Sequence, residues 1–241
     1  MADSGRLTIL HTNDFHGMAK GERLERLREA RKRANLYFDC GDAIQAGNLA
    51  IPLSPDPVWP ALGELRCSAS VPGNRESHIL ELGLNAKLNG LRHPILCANW
   101  HDREGNLIFP PTMSAFVNRH RIGVFGVMLP MVTPNMRTSA ASAFLWSSPI
   151  IAAQTVMAEL TEEPEVLIAL THLGLRSDRE LADACPEIDL ILGGHSHDIL
   201  DPPEVRGKTV IGQVGSHARF AGLYTWEYGR GLVDFELIPL A

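Results

Sequence analysis

Seven side chains suited to holding metal ions recur along this chain, each just after a short apolar or β-like stretch. They lie in five polar clusters: Asp14-Phe15-His16, Gly41-Asp42, Gly73-Asn74-Arg75-Glu76, Thr171-His172 and Gly194-His195-Ser196-His197. The donors are oxygen and nitrogen without thiolate, which suits Mn, Fe, Zn or Co in a reactive site better than a structural zinc finger. Seven candidates are too many for one tetrahedral ion. Two ions sharing a carboxylate would use them, as in two-metal sites where the ions lie roughly 3.5–4 Å apart. In Asp14-x-His16 and His195-x-His197 the two-residue spacing sends both side chains the same way if the segment is extended. Taken singly, each cluster has a plainer reading. A strand-end histidine is usually a hydrogen-bonded structural residue, Asp14 or Asp42 could cap a helix or brace a turn, and Asn74 after Gly73 could form a tight turn. Their joint occurrence at matching places is what favours chemistry.

These clusters need elements that converge. Arg6 to His11, Leu36 to Cys40, Val166 to Leu170 and Ile188 to Leu192 are short, rich in Ile, Leu and Val, and end in Gly or turn residues, so they read as buried strands. Pro94 to Ala98, Arg121 to Val127, Thr209 to Val214, Leu223 to Tyr228 and Leu232 to Leu237 are further strands. Gly21 to Ala34 places Leu24 and Leu27 on one face among charges, an amphipathic surface helix. Ser77 to Leu91, Ile150 to Leu160 and Asp178 to Ala184 are further helices. The four prolines between Ile51 and Pro60 predict a loop. Strands alternating with helices make this an α/β chain, and ligands in open α/β folds gather at the carboxyl ends of strands.

With 241 residues, 45% hydrophobic and 21% charged, the expectation is one globular domain over 1–241. A formal charge of −6 argues against broad binding to nucleic acid or anionic membrane, but bound cations would reverse the sign locally for an anionic substrate. The start, MADSGRLTIL, carries no leader pattern, and no run approaches the roughly 18–20 apolar residues of a membrane span. Cys40, Cys67, Cys97 and Cys185 form no C-x-x-C pair and read as reduced, buried thiols. A cytoplasmic location is the expectation.

The series ILHTNDFHG, FDCGD, PGNRE, LTHLG and GGHSH resembles the calcineurin-like metallophosphoesterase superfamily, most nearly the catalytic domain of bacterial 5′-nucleotidases and 2′,3′-cyclic phosphodiesterases. The resemblance runs from about Leu7 to the end of the chain. It implies a four-layer α-β-β-α sandwich of two mixed sheets flanked by helices. It also implies that Asp14, His16 and His197 hold a first divalent metal, Asp42 bridges, and Asn74, His172 and His195 complete a second site. The implied reaction is hydrolysis of a phosphomonoester or phosphodiester, nucleotide-like or small, by attack of a metal-bridging hydroxide.

Two departures from the family pattern matter. The family's Gly-Asn-His-Glu has Arg75 in place of histidine, and arginine can grip a phosphate oxygen but cannot shuttle a proton. If a helix begins near Asn74, His78 lies one turn on and could donate the proton instead. Substrate contacts are expected from His217, where the family loop approaches the site, and from Asn99. The second departure is length, since 241 residues leave no room for the nucleotidases' C-terminal nucleotide-binding domain. A smaller ester, a cyclic nucleotide or a pocket completed by a second subunit all stay open. The alternative to an enzyme is a metal-binding phosphate-ligand sensor or scaffold with little turnover. A nuclease is disfavoured by the acidic charge.

Overall fold

The computed structural model describes residues 5–160 and 162–241, so residues 1–4, where the reading of the chain's start begins, lie outside it. The first half runs β1 (Arg6–Thr12), α1 (Glu22–Arg31), β2 (Leu36–Asp39), α2 (Val58–Glu64), β3 (Ala69–Ser70), α3 (Glu81–Leu88) and β4 (Trp100–His101). Then come β5 (Thr112–Val117), β6 (His120–Met128), a 3-10 turn at Arg137–Ala141, β7 (Leu145–Trp146), α4 (Pro149–Glu159) and β8 (Val166–His172). The chain closes with α5 (Leu175–Ala184), β9 (Leu190–Leu192), β10 (Glu204–Arg206), β11 (Thr209–Gly212), β12 (Phe220–Glu227) and β13 (Gly231–Pro239).

Two mixed sheets carry the fold, ordered β13-β12-β1-β2-β3 and β10-β11-β9-β8-β6-β5. Alternation along the strands sorts their side chains onto opposite faces. Leu7 and Ile9 of β1 meet Ile122 and Val124 of β6, and Ile168 and Leu170 of β8, in one core between the sheets. Leu10 points the other way, into a second core with Leu27 of α1 and Trp59 and Leu62 of α2. Phe125, Val127, Leu167 and Ala169 face a third, with Ala153 and Val156 of α4 and Leu181 of α5. Helices therefore cover the outer face of each sheet, as the mixed α/β expectation had it. All four cysteines are free and buried. Among the described residues no helix is long and apolar enough to cross a membrane.

The expected elements differ from the observed ones where local chemistry intervenes. The proline-rich loop gives way to α2 already at Val58, because Pro57 and Pro60 occupy the helix start, where no intrahelical N–H is needed. Asp56 accepts the Val58 N–H there at 3.0 Å. The helix expected from Ser77 starts only at Glu81. Before it, Ser77 Oγ donates to the Asn74 carbonyl and His78 Nδ1 accepts the Leu80 N–H, bonds that compete with helical ones. Pro94 to Ala98 makes only the single bridge Ser70–Ile95, because the Cys97 and Ala98 N–H groups bond instead to the Pro110 and Gly126 carbonyls. The hairpin β5–β6 was not anticipated. Its two-residue turn, Asn118-Arg119, has φ of 52° and 72°, a left-handed geometry reached without the glycine that usually signals it.

His93, 8% exposed, sits beside Trp59 with its Nε2 2.9 Å from Ser70 Oγ. Burial lowers its pKa from 6.5 to about 4. Between those values the unfolded chain binds the proton and the folded one does not, so this contribution to stability is complete above pH 6.5 and fades as pH falls toward 4. Urea titrations in EDTA at pH 7 and pH 4.5 should show His93→Gln losing about 2–3 kcal/mol less than wild type on acidification. Equal losses would refute the assignment.

Candidate metal centre

β1, β2 and β3 run parallel in one sheet, and β6, β8, β9 and β11 run parallel in the other, so their carboxyl ends gather at a common edge. Asp14 and His16 follow β1, Asp42 follows β2, Asn74 follows β3, His172 ends β8, and His195 and His197 follow β9. Backbone bonds knit the loops: Asp14 N to the Gly41 carbonyl at 2.9 Å, His16 N to the Asp42 carbonyl at 2.9 Å, and His217 N to the Asp14 carbonyl at 2.7 Å. The side chains do not project from extended segments. Asp14, His16, Asp42, His195, His197 and His217 all have φ between 50° and 80°, a left-handed conformation costing L-residues about 1–2 kcal/mol each. Such strain persists only where surrounding bonds impose it, and it gathers at functional sites. Gly41, at φ +83°, admits no side chain, since a Cβ there would lie 2.6 Å from the Gly73 nitrogen and 2.9 Å from His172 Nδ1.

All seven expected ligands come together in this way. Asp14 Oδ1 lies 3.6 Å from His16 Nε2 and 3.2 Å from His197 Nε2, and the two imidazole nitrogens are 3.0 Å apart. Beside them, His172 Nε2 is 3.5 Å from Asp42 Oδ1 and 3.2 Å from Asn74 Oδ1, and His195 Nδ1 is 3.0 Å from the same Asn74 oxygen. Two groups of three have ligand atoms within 4.8 Å of one another, Asp14-His16-His197 and Asp14-Asp42-His172, with Asp14 common to both.

The donor set fits divalent metal ions. Asp14 Oδ1 and His16 Nδ1 are buried without a hydrogen-bond partner, although Asp14 Oδ2 is fully engaged by the Asn13 amide at 2.7 Å and the His195 N–H at 2.8 Å. One carboxylate oxygen is thus fixed and the other presented. His172 Nδ1 lies 2.7 Å from the Cys40 carbonyl, an acceptor that holds the proton there and turns the Nε2 lone pair inward. Burial pushes the Asp14 carboxyl up, but the facing His16 imidazole, the charge of His172 and its N–H donors hold it at about 2. Burial also lowers the pKa of His172 and of His195. A metal takes carboxylate and imidazole ligands in their deprotonated forms, the direction in which Asp14, His172 and His195 are each displaced.

The family model for the calcineurin-like phosphoesterases matches residues 7–198, the span holding all seven of these side chains. The chain belongs to that family. It is 26% identical over 290 residues to a 5′-nucleotidase of Vibrio cholerae, covering 98% of this chain and 52% of that one. Among solved structures, a 5′-nucleotidase precursor from Thermus thermophilus superposes with a TM-score of 0.74 at 21% identity, covering 97% of this chain and 54% of that one. The calcineurin-like phosphoesterase YfkN from Bacillus subtilis gives 0.71 at 19% identity, covering 98% and 91%. These likenesses at low identity bear on the fold. The chain spans about half the length, or less, of the curated relatives it matches first.

In this calcineurin-like phosphoesterase the remaining expected site residues separate. Arg75 stands at the centre: its N–H donates to Asp42 Oδ1 at 2.7 Å, its Nε lies 3.8 Å from Asp42 Oδ2, and its Nη1 donates to the Gln45 carbonyl at 3.0 Å. His217 is exposed on the rim, its ring 4.8 Å from that of His16 and 6.0 Å from that of His197. His78 does not share a helix face with Asn74, because that helix starts later; it is 5% exposed, packed against Gly83, with Nδ1 on Leu80. Asn99 is fully buried and braces backbone, donating to the Met128 and Ser147 carbonyls and accepting the Met128 N–H, so it is not placed to touch substrate.

Sequence reasoning missed the residues that hold the ligands. Glu76, 1% exposed, accepts the N–H groups of Asp42 and Gly73 at 2.8 Å each and that of Ile44 at 3.2 Å. Burial, then the charge of Asp42, raise its pKa. Asp178 accepts the Thr171 hydroxyl at 2.6 Å and the Gln213 amide at 2.9 Å behind His172, and burial raises its pKa to about 7. A buried acid next to its strand-end motif, such as Glu76 two residues after Asn74, was the available signal. Replacing Glu76 by Gln turns one acceptor oxygen into an amide donor that must face at least one of the three N–H groups. Titration calorimetry with Mn²⁺ should show affinity weakened by roughly 10-fold or more while circular dichroism stays native. Unchanged affinity would remove Glu76 from this role.

Proposed function

We propose that this chain hydrolyses a phosphate ester, mono- or diester, with the help of two divalent cations held by Asp14, His16, Asp42, Asn74, His172, His195 and His197. The observation that carries the reading is the buried Asp14 Oδ1, which has no hydrogen-bond partner and faces two imidazole nitrogens. When bound, such a metal pair would activate water near neutral pH and offset charge growing on phosphate oxygens.

The chain's own residues supply the rest. Arg75 presents the planar N–H donors of its guanidinium, so it suits gripping a phosphate oxygen. Its backbone is fixed on Asp42, and its guanidinium is braced at Gln45, which orients the remaining donors. His217, held at the rim by its N–H bond to the Asp14 carbonyl and with Nδ1 2.8 Å from Ser216 Oγ, is the side chain we assign to the leaving group. Nucleotides belong among the substrates to try, since the Vibrio relative is named a 5′-nucleotidase.

A second reading, a phosphate-ligand sensor with little turnover, is favoured by one observation. Arginine replaces the proton donor that the resemblance implies at position 75, and His78 is turned into the protein. Assays of p-nitrophenyl phosphate, bis-p-nitrophenyl phosphate, 2′,3′-cyclic AMP and AMP with added Mn²⁺ separate the two. Turnover of at least one ester is expected, and Arg75→Ala should lower its kcat/KM roughly 100-fold. Two bound metals with no turnover of any ester would establish the sensor instead.

A further inference from the structure

Lys87, in the last turn of α3, has no solvent exposure at all. Its ammonium donates to four backbone carbonyls: Gly47 at 2.9 Å, Asn48 at 2.8 Å, Arg75 at 2.6 Å and Ser77 at 2.9 Å. None of the four is a carboxylate. Three N–H donors serve four acceptors, so at least one bond is shared. Burying a lysine without a paired carboxylate is costly, and burial indeed lowers its pKa to about 8 against the raising influence of Glu76 and Asp42. A hydrophobic helix residue would fill the space, but it would take the ammonium donor from the Asn48, Arg75 and Ser77 carbonyls and leave Gly47 only the Ala50 N–H.

The two loops it joins also meet directly, through Arg75 Nη1 on the Gln45 carbonyl and through one carboxamide pair. Asn74 Nδ2 donates to Asn48 Oδ1 at 2.9 Å. A carboxamide has two near-equivalent ends, and the partner at one end decides what the other presents. With Asn48 accepting from the amine end, Asn74 Oδ1 is the atom left facing His172 and His195. Asn48 in turn is held through its carbonyl by Lys87, which holds the Arg75 carbonyl on the far side of the same turn.

We propose that Lys87 is a positioning residue: its ammonium staples residues 47–48 to residues 75–77, and through Asn48 it keeps the Asn74 oxygen turned toward the metal centre and the Arg75 backbone in place. The inference rests on the metal-dependent esterase reading for its catalytic meaning, but the staple itself is independent of it.

The test uses the full chain and three readouts. Hydrogen–deuterium exchange in EDTA should show Lys87→Ala raising exchange at residues 45–50 and 74–78 by at least 10-fold, with β1 and β8 unchanged. Mn²⁺ affinity should fall roughly 10–100-fold. It should recover in millimolar n-propylammonium, which restores the atoms missing from the side chain, and not in tetramethylammonium. Asn48→Ala, at an exposed side chain that leaves the core intact, should weaken Mn²⁺ binding and leave the exchange of 75–77 native. Wild-type exchange in both loops of Lys87→Ala, or wild-type Mn²⁺ affinity in Asn48→Ala, overturns the proposal. If the wild-type chain itself binds no Mn²⁺ and turns over no ester, the esterase reading fails, while the exchange comparison still decides the staple.

Discussion

A buried carboxylate oxygen that converges with imidazole nitrogens and accepts no hydrogen bond calls for something positive among them. Asp14 Oδ1 between His16 and His197 states this constraint most sharply, since it is buried without a hydrogen-bond partner, 3.6 Å and 3.2 Å from their Nε2 atoms. Asp14 Oδ2, the other oxygen of the same carboxylate, accepts both the Asn13 amide and the His195 N–H. The contrast between two oxygens of one side chain separates a site built to receive a cation from an ordinary buried acid. The other unusual features at this edge follow from it. Six non-glycine residues tolerate left-handed backbone, and Glu76 spends its whole carboxylate on backbone N–H groups, because the loops must be held against their own preferences.

Much of this was legible in the order of residues, for physical reasons. Short runs of Ile, Leu and Val ending in Gly or Asp mark buried parallel strands, and β1, β2, β8 and β9 lie where such runs predict them. Ligands that follow strand ends need no further information to be grouped, because parallel strands deliver their carboxyl ends to one edge. Elements decided by local competition were less legible. Pro57 and Pro60 predict a loop yet open α2, and His78 and Ser77 delay α3 by bonding to nearby backbone. β5 was hidden because its turn reaches positive φ through Asn118 and Arg119 rather than glycine.

Site legibility divides along the same line. Residue types with direct chemistry stand out, while residues acting at one remove do not. Lys87 looks like a solvated helix lysine in the sequence, and only the folding of two distant loops onto its ammonium reveals it as interior. Asn99 shows the converse error. An asparagine near a strand end invites a substrate role, but three backbone bonds consume its amide. The side-chain alternation argument reached the right convergence for Asp14 and His16 by the wrong geometry, since left-handed turns aim them.

The ligand set also straddles the interface between the two sheets. Asp14, Asp42 and Asn74 hang from one sheet, His172 and His195 from the other, and the layer between them is mainly apolar, crossed by a few hydrogen bonds such as Cys40 Sγ to the Leu192 carbonyl. A cation gripping both sets ties the halves of the sandwich together at one rim, much as a clasp closes the covers of a book. Sliding one sheet past the other would then break coordination before it exposed much core. Metal occupancy would then add to the resistance to unfolding, and chelation should loosen the sandwich first at that rim.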